Sequence, residues 1–156
     1  LPQFVVAIVL AEVTPQEIGL STALLVAAAV GASLLLSTGL GLALGRALAP
    51  LRDEGVLILG SGLSYHNLRL FGPGAKEPSE AFDAWLAEVM AKPGAQRSTD
   101  LIAWETAPFA RVCHVQEDHF APIWAAVGAA EGEPARRVYH DTGLFGGVTA
   151  SSYRMG

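Results

Sequence analysis

Apolar and polar positions follow three textures along this chain. Phe4-Val5-Val6-Ala7-Ile8-Val9-Leu10 is an unbroken apolar run rich in β-branched residues, which predicts a strand buried on both faces. In Thr14-Pro15-Gln16-Glu17 a threonine cap, a proline at the first helical position and a glutamate three residues past the cap predict a helix start. Residues 18–45 then carry no charged side chain. A run of that length is a candidate membrane span, since about 20 apolar residues cross the hydrocarbon core. Its small residues, among them Ala27-Ala28-Ala29, Gly31-Ala32-Ser33, Gly39 and Gly41, suit close helix packing. Two buried helices, broken near Ser37-Thr38-Gly39, are the alternative. No Lys or Arg precedes Arg46, which weighs against a signal peptide and against a simple membrane anchor. The membrane reading is therefore the less favoured one.

From residue 42 the pattern is that of an ordinary α/β domain. Residues 42–51 predict an amphipathic helix that closes near Arg52-Asp53-Glu54-Gly55. Val56-Leu57-Ile58-Leu59 predicts a short buried strand. Gly60-Ser61-Gly62 then predicts a sharp turn that delivers His66 just past the strand's carboxyl end, where open α/β sheets build their sites. After the loop Phe71-Gly72-Pro73-Gly74, residues 80–90 place Phe82, Trp85, Leu86 and Val89 on one helical face, and Lys92-Pro93-Gly94 ends that helix. Further helices are predicted over 98–106 and 118–130, the second with Pro122 in its first turns. Val138-Tyr139-His140 and Gly147-Val148-Thr149-Ala150 predict terminal strands.

Composition narrows the partners. The 156 residues allow one domain with a real core. Charged residues are 16%, against about 25% in typical domains, and the net charge is -5. With only 10 Lys and Arg there is no basic stripe for a phosphate backbone, which argues against nucleic acid as a partner, and Arg136-Arg137 reads as a solvated pair. The single cysteine, Cys113, forms no internal disulfide, reads as a small core residue, and makes the cytoplasm the default setting. A start at Leu1 reads as a processed product or a piece of something longer.

Candidate chemistry rests on histidines. His66, His114 and His119 lie on the segments expected to converge at one end of a sheet. His114 and His119 are five residues apart, so one helix does not put them on one face, but a loop-to-helix junction lets both enter one cleft. Imidazoles beside Glu117 and Asp118 suit Zn2+ or Fe2+, and also acid–base work. The plainer alternative is that Glu117 and Asp118 favour a helix amino terminus through its dipole. Spacing alone leaves the metal the weaker reading, because no compact His-x-His pair is present.

Several stretches resemble the carboxyl-terminal half of the class III extradiol ring-cleavage dioxygenases, the LigB-like family, in its 4,5-DOPA extradiol dioxygenase type. They are the continuous stretch from Leu42 to Gly62, His66-Asn67-Leu68-Arg69, Phe82-Asp83-Ala84-Trp85-Leu86, and Ala107-Pro108 with Ala110-Arg111. His114-Val115-Gln116-Glu117-Asp118-His119 is similar to the family's His-Pro-x-x-Glu-His signature, and Ser151-Ser152-Tyr153-Arg154-Met155-Gly156 to its terminal strand. The resemblance implies an α/β sheet domain over 42–156; residues 1–41 do not share it and read as an apolar helical amino-terminal segment, either buried helices or a membrane span. The resemblance also implies a non-haem Fe2+ or Zn2+ site that takes a catechol and O2 and opens the ring beside the diol. His119 would be a metal ligand. His66 would be the catalytic acid–base or a further metal neighbour, and His114 and Asn67 would line the substrate pocket.

Two departures qualify this. Val115 stands where the signature has proline, and Asp118 where it has glutamate. The family's other half supplies two histidine ligands, and no histidine precedes His66 here. The resemblance therefore implies an incomplete metal set. A non-catalytic remnant, a subunit completed by a partner chain or homo-oligomer, and a protein anchored through 18–45 remain the competing expectations.

Overall fold

In a computed structural model Ser37–Gly156 forms one compact unit. The structure describes residues 38–156. The strand expected over 4–10, the helix start at Thr14 and most of the uncharged run 18–45 lie outside the described residues. Among the described residues, no helix is long and apolar enough to cross a membrane.

Residues 38–48 are helical (α1), and a turn at Ala49 leads into α2 (Pro50–Asp53). Pro50 explains the break, because it has no N–H to continue the ladder and is suited to a first helical position. After a 3-10 turn (Gly72–Ala75) come α3 (Lys76–Met90), α4 (Gly94–Ile102) and a second 3-10 turn (Trp104–Thr106). Then follow α5 (Ala110–Cys113), α6 (Pro122–Ala129), and an antiparallel hairpin of β1 (Ala135–Leu144) and β2 (Val148–Met155).

α3 buries Phe82, Leu86 and Val89 as its periodicity requires, and Trp85 packs half-buried at the margin. The hairpin lies on this helix. Val148, Thr149 and Ala150 are buried, the Thr149 N–H donates to Ser79 Oγ at 2.9 Å, and Ser151 Oγ donates to Asp83 at 3.0 Å. Both terminal strands are longer than expected because the turn Phe145-Gly146-Gly147 lets ten residues pair back on eight.

α1 crosses α6 at Gly45 and Gly128, where the backbones nearly touch. A Cβ on Gly128 would collide with the Leu42 carbonyl, and one on Gly45 with the Ala125 carbonyl. Two ion pairs tie α1 and α2 to the loop after α6: Arg46 grips Glu131 with two hydrogen bonds, and Arg52 grips Glu133. Arg97, fully buried, donates from Nη2 to the Ala130, Glu131 and Glu133 carbonyls and closes that loop from the inside.

Three expectations are corrected. The helix expected over 98–106 begins at Gly94, stops at Ile102 and gives way to a 3-10 turn around the buried Trp104. The helix expected from Asp118 begins at Pro122, whose ring opens helices more readily than it continues them. Val56-Leu57-Ile58-Leu59 is not a strand. It pairs with no other strand among the described residues, and Leu57 and Leu59 are 83% and 79% exposed. A strand needs a ladder partner, and an apolar run alone does not provide one. The described part is thus a mixed helical unit with a two-stranded sheet, consistent with an α/β domain.

Candidate metal centre

Two stretches far apart in sequence are zipped together at the centre of the site. The Leu63 N–H donates to the His119 carbonyl at 3.0 Å, and the His66 N–H to the Cys113 carbonyl at 2.9 Å. Asn67 Nδ2 donates to the Val112 carbonyl at 2.7 Å, and His114 Nε2 lies 3.0 Å from the Ser64 carbonyl. This contact is possible because of the glycines before it. A Cβ on Gly62 would collide with the His119 carbonyl oxygen, and one on Gly60 would lie 2.7 Å from that of Pro122. Neither glycine has a positive φ. Gly60-Ser61-Gly62 therefore serves close approach of two backbones, and the expected sharp turn is not its role.

The zipper brings His66 and His119 face to face, with ring centroids 3.5 Å apart and planes 18° from parallel. Asp118 adds a carboxylate, its Oδ2 lying 2.9 Å from His119 Nδ1. Ligand atoms of His66, Asp118 and His119 all lie within 4.8 Å of one another. His66 is half-buried, whereas Asp118 and His119 are exposed. His119 also borders an apolar cavity of about 740 Å3 formed with residues 56–63 and α6.

The donor types suit a transition-metal ion. Their orientation gives each a different part. Imidazole lone pairs lie in the ring plane, so two nearly parallel rings at stacking distance cannot both aim at one ion about 2 Å from each nitrogen. His119, with Asp118 accepting from Nδ1–H, offers Nε2 as a ligand in the carboxylate–histidine–metal manner. His66 covers the ring beside it. The described residues thus supply one oriented ligand and two neighbours, and no ready chelate.

His114 and Asn67 are placed elsewhere than at the open side of this cluster. His114 is fully buried among Phe82, Trp104 and Phe120, with centroids 5.1, 5.8 and 4.9 Å away. Since a carbonyl only accepts, Nε2 carries the proton towards Ser64. Burial pushes the His114 pKa down to about 4, against a smaller upward pull from the Ser64 carbonyl, so the ring is neutral. Asn67 uses both ends of its amide on backbone, accepting from the Arg69 N–H at 3.1 Å as well as donating to Val112. In this structure both hold the zipper closed.

Arg111 escaped the reading of the sequence. It spans Glu105 and Glu117 and lies 4.7 Å over the Trp104 ring. The Glu117 carbonyl in turn accepts from the Phe120 and Ala121 N–H groups at 2.9 and 2.7 Å, which shapes the turn carrying Asp118 and His119. Glu117 is therefore engaged away from the histidines. The only advance signal was Arg111 lying within the Ala110-Arg111 stretch. Asp83, buried at the base of the hairpin beside Ser151 and His140, forms a separate polar group.

The model of the family "catalytic LigB subunit of aromatic ring-opening dioxygenase" matches residues 25–156. The chain belongs to the LigB family. Its curated relatives include the 4,5-DOPA dioxygenase extradiol of Beta vulgaris, 35% identical over 116 residues, covering 72% of this chain and 42% of that protein. That of Portulaca grandiflora is 31% identical over 116 residues, covering 71% and 42%. Dioxygenase tasH of Hapsidospora irregularis is 34% identical over 131 residues, covering 74% and 39%. A crystal structure of an uncharacterized Escherichia coli K12 protein superposes with a TM-score of 0.67 at 23% identity, over 76% of this chain and 50% of that one, which shows a shared fold. The LigB chain described here spans about two fifths of the length of the curated relatives it matches. Within this LigB unit, the His66–Asp118–His119 cluster is the one group of metal-ligating side chains found among the described residues.

Proposed function

We propose that this LigB chain contributes the His119 side of a metal-dependent extradiol dioxygenase that opens catechol-type rings, and that it depends on residues beyond the described ones for a full ligand set. The observation that carries this reading is the pairing of His66 and His119 over Asp118. His119 Nε2 would hold the metal, and Asp118 would fix its tautomer and ring angle. A bound Fe2+ or Zn2+ would supply a Lewis-acidic template for the two catechol oxygens and O2. His66, kept beside the ligand by its stack and its backbone bond to Cys113, is the base that takes a catechol proton. A neutral, buried His114 and a backbone-bound Asn67 would keep this geometry. The single cysteine, Cys113, is buried and free, which fits the cytoplasmic setting expected from cysteine usage.

Two measurements test the proposal: metal content of the purified chain, and ring opening of DOPA and protocatechuate-type catechols. Weak metal uptake that His119→Ala removes, with little turnover by the chain alone, is the expected result. No uptake of iron or zinc under any loading condition would sink the catalytic reading and leave a non-catalytic LigB remnant.

A further inference from the structure

Phe145 stands where local chemistry disfavours it. The hairpin tip closes with the Gly147 N–H donating to the Leu144 carbonyl at 3.0 Å, and its two central residues, Phe145 and Gly146, have φ of 50° and 81°. Two positive φ angles mark a type I′ hairpin turn, whose first central place usually goes to Asn, Asp or Gly. A bulky side chain there is strained, because its Cβ crowds the following carbonyl. Core burial does not hold it, since Phe145 is 61% exposed. Its ring packs on that of Phe71, with centroids 4.9 Å apart, and its carbonyl accepts from the Gly72 N–H at 3.2 Å. The two backbones meet closely: a Cβ on Gly147 would collide with the Gly72 carbonyl.

Phe71 and Gly72 end a bonded unit that begins beside His66. Tyr65, fully buried, donates from its hydroxyl to the Leu70 carbonyl, and the Leu70 N–H donates to the Asn67 carbonyl at 3.0 Å. Asn67 Oδ1 accepts from the Arg69 N–H at 3.1 Å. Residues 65–72 are thus cross-braced as one piece, with His66 near its start. The same hairpin reaches the residues just before it, where the Ser151 N–H donates to Ser64 Oγ at 3.4 Å.

We propose that Phe145 is a positioning residue for His66: from the hairpin tip it clamps the 65–72 unit and so fixes the His66 ring over His119. The meaning of His66 as a base rests on the proposed function, whereas the clamp itself does not. A strained backbone conformation persists only where its surroundings over-determine it, and such residues gather at functional sites. Here the surroundings are Phe71, Gly72 and the turn bond to Leu144.

The test compares Phe145→Asn, Phe145→Tyr and Phe71→Leu in the full chain without metal. It reads the urea midpoint, amide exchange, and the NMR shifts of the His66 ring, which stacking on His119 displaces from those of free histidine. Asparagine tolerates positive φ, so Phe145→Asn should keep or raise the urea midpoint. It should still quicken exchange at Leu70 and Gly72 by about two- to tenfold, the loss expected of one aromatic pair. The His66 ring signals should move towards those of free histidine. Phe71→Leu should produce the same loop and ring changes with a lowered midpoint, because the strain stays. Phe145→Tyr should preserve all three readouts. A ring that only staples two surface loops would lower the midpoint in Phe145→Asn and leave the His66 signals unmoved, and that result would overturn the proposal. So would unchanged exchange at Leu70 and Gly72, exchange quickened equally throughout α3 and α6, or His66 signals that tyrosine does not preserve. None of these readouts uses metal or turnover. A working clamp in a chain that takes up no metal keeps the role of Phe145 and removes the dioxygenase reading.

Discussion

His66 and His119 stack with their ring centroids 3.5 Å apart, although 53 positions separate them in the chain. Under the proposed function this stack separates ligand from base, because two parallel imidazoles cannot both face one ion. His119→Ala is expected to abolish Co2+ or Zn2+ binding measured by titration. His66→Gln should leave binding nearly unchanged and instead lower any ring-opening rate, by about 10²–10⁴-fold for a lost general base. Asp118→Asn should weaken metal binding by about 10–100-fold, the usual cost of losing a carboxylate behind a histidine ligand. Equal loss of metal in His66→Gln and His119→Ala would show that both rings are ligands.

Gly62 is where that pairing is most exposed to mutation. Gly62→Ala drives a methyl group into the His119 carbonyl and breaks the Leu63 hydrogen bond. Overpacking of this kind costs about 1–3 kcal/mol. Gly132, with open space around its Cβ position, is the control, and Gly132→Ala should be neutral or slightly stabilising. Urea midpoints that shift equally for both would contradict the close-approach account.

Stability should fall in mild acid because of His114. Its folded pKa of about 4 lies below the ordinary 6.5, so the unfolded chain binds the proton more readily. Folding loses stability as pH drops from about 6.5 towards 4, by an amount on the order of 3 kcal/mol, and the loss levels off below that. His114→Gln, which keeps a donor for the Ser64 carbonyl, should flatten this window in denaturation curves between pH 7 and 4. An unchanged pH slope in that variant would remove His114 as its source.

A second window lies lower. Arg46 and then Ser98 hold the Glu131 carboxylate at about 2, below the ordinary 4.5, so its stabilisation is present above pH 4.5 and lost as pH falls towards 2. Half of Arg46 is solvent-exposed, so screening limits the effect to about 1 kcal/mol. Glu131→Gln should lower the neutral-pH denaturation midpoint modestly and remove only this lower window. A loss spread over pH 4–7 would be inconsistent with it.

Arg111 acts on His119 only through the turn it shapes. Arg111→Met keeps apolar contact with Trp104 but releases Glu105 and Glu117. Metal affinity should drop severalfold with the fold retained, and Arg111→Lys should recover only part of it, since lysine lacks the planar fork that spans two carboxylates. Full recovery by lysine would point to charge alone.

Sequence by itself determined the LigB resemblance, the helical face of α3, the terminal strands, and the identity of His66 and His119 as the pair worth watching. Those follow from local periodicity and motif, which short stretches of chain contain in full. The tertiary structure alone decided that His114 is a neutral core residue, that Gly60 and Gly62 serve backbone contact, and that Asp118 supports His119. It also decided that Val56-Leu57-Ile58-Leu59 has no ladder partner among the described residues. Ring orientation, burial and strand pairing depend on neighbours tens of residues away, which the local pattern does not encode. A strand signal records only the readiness of a segment to pair; the partner has to come from elsewhere in the fold.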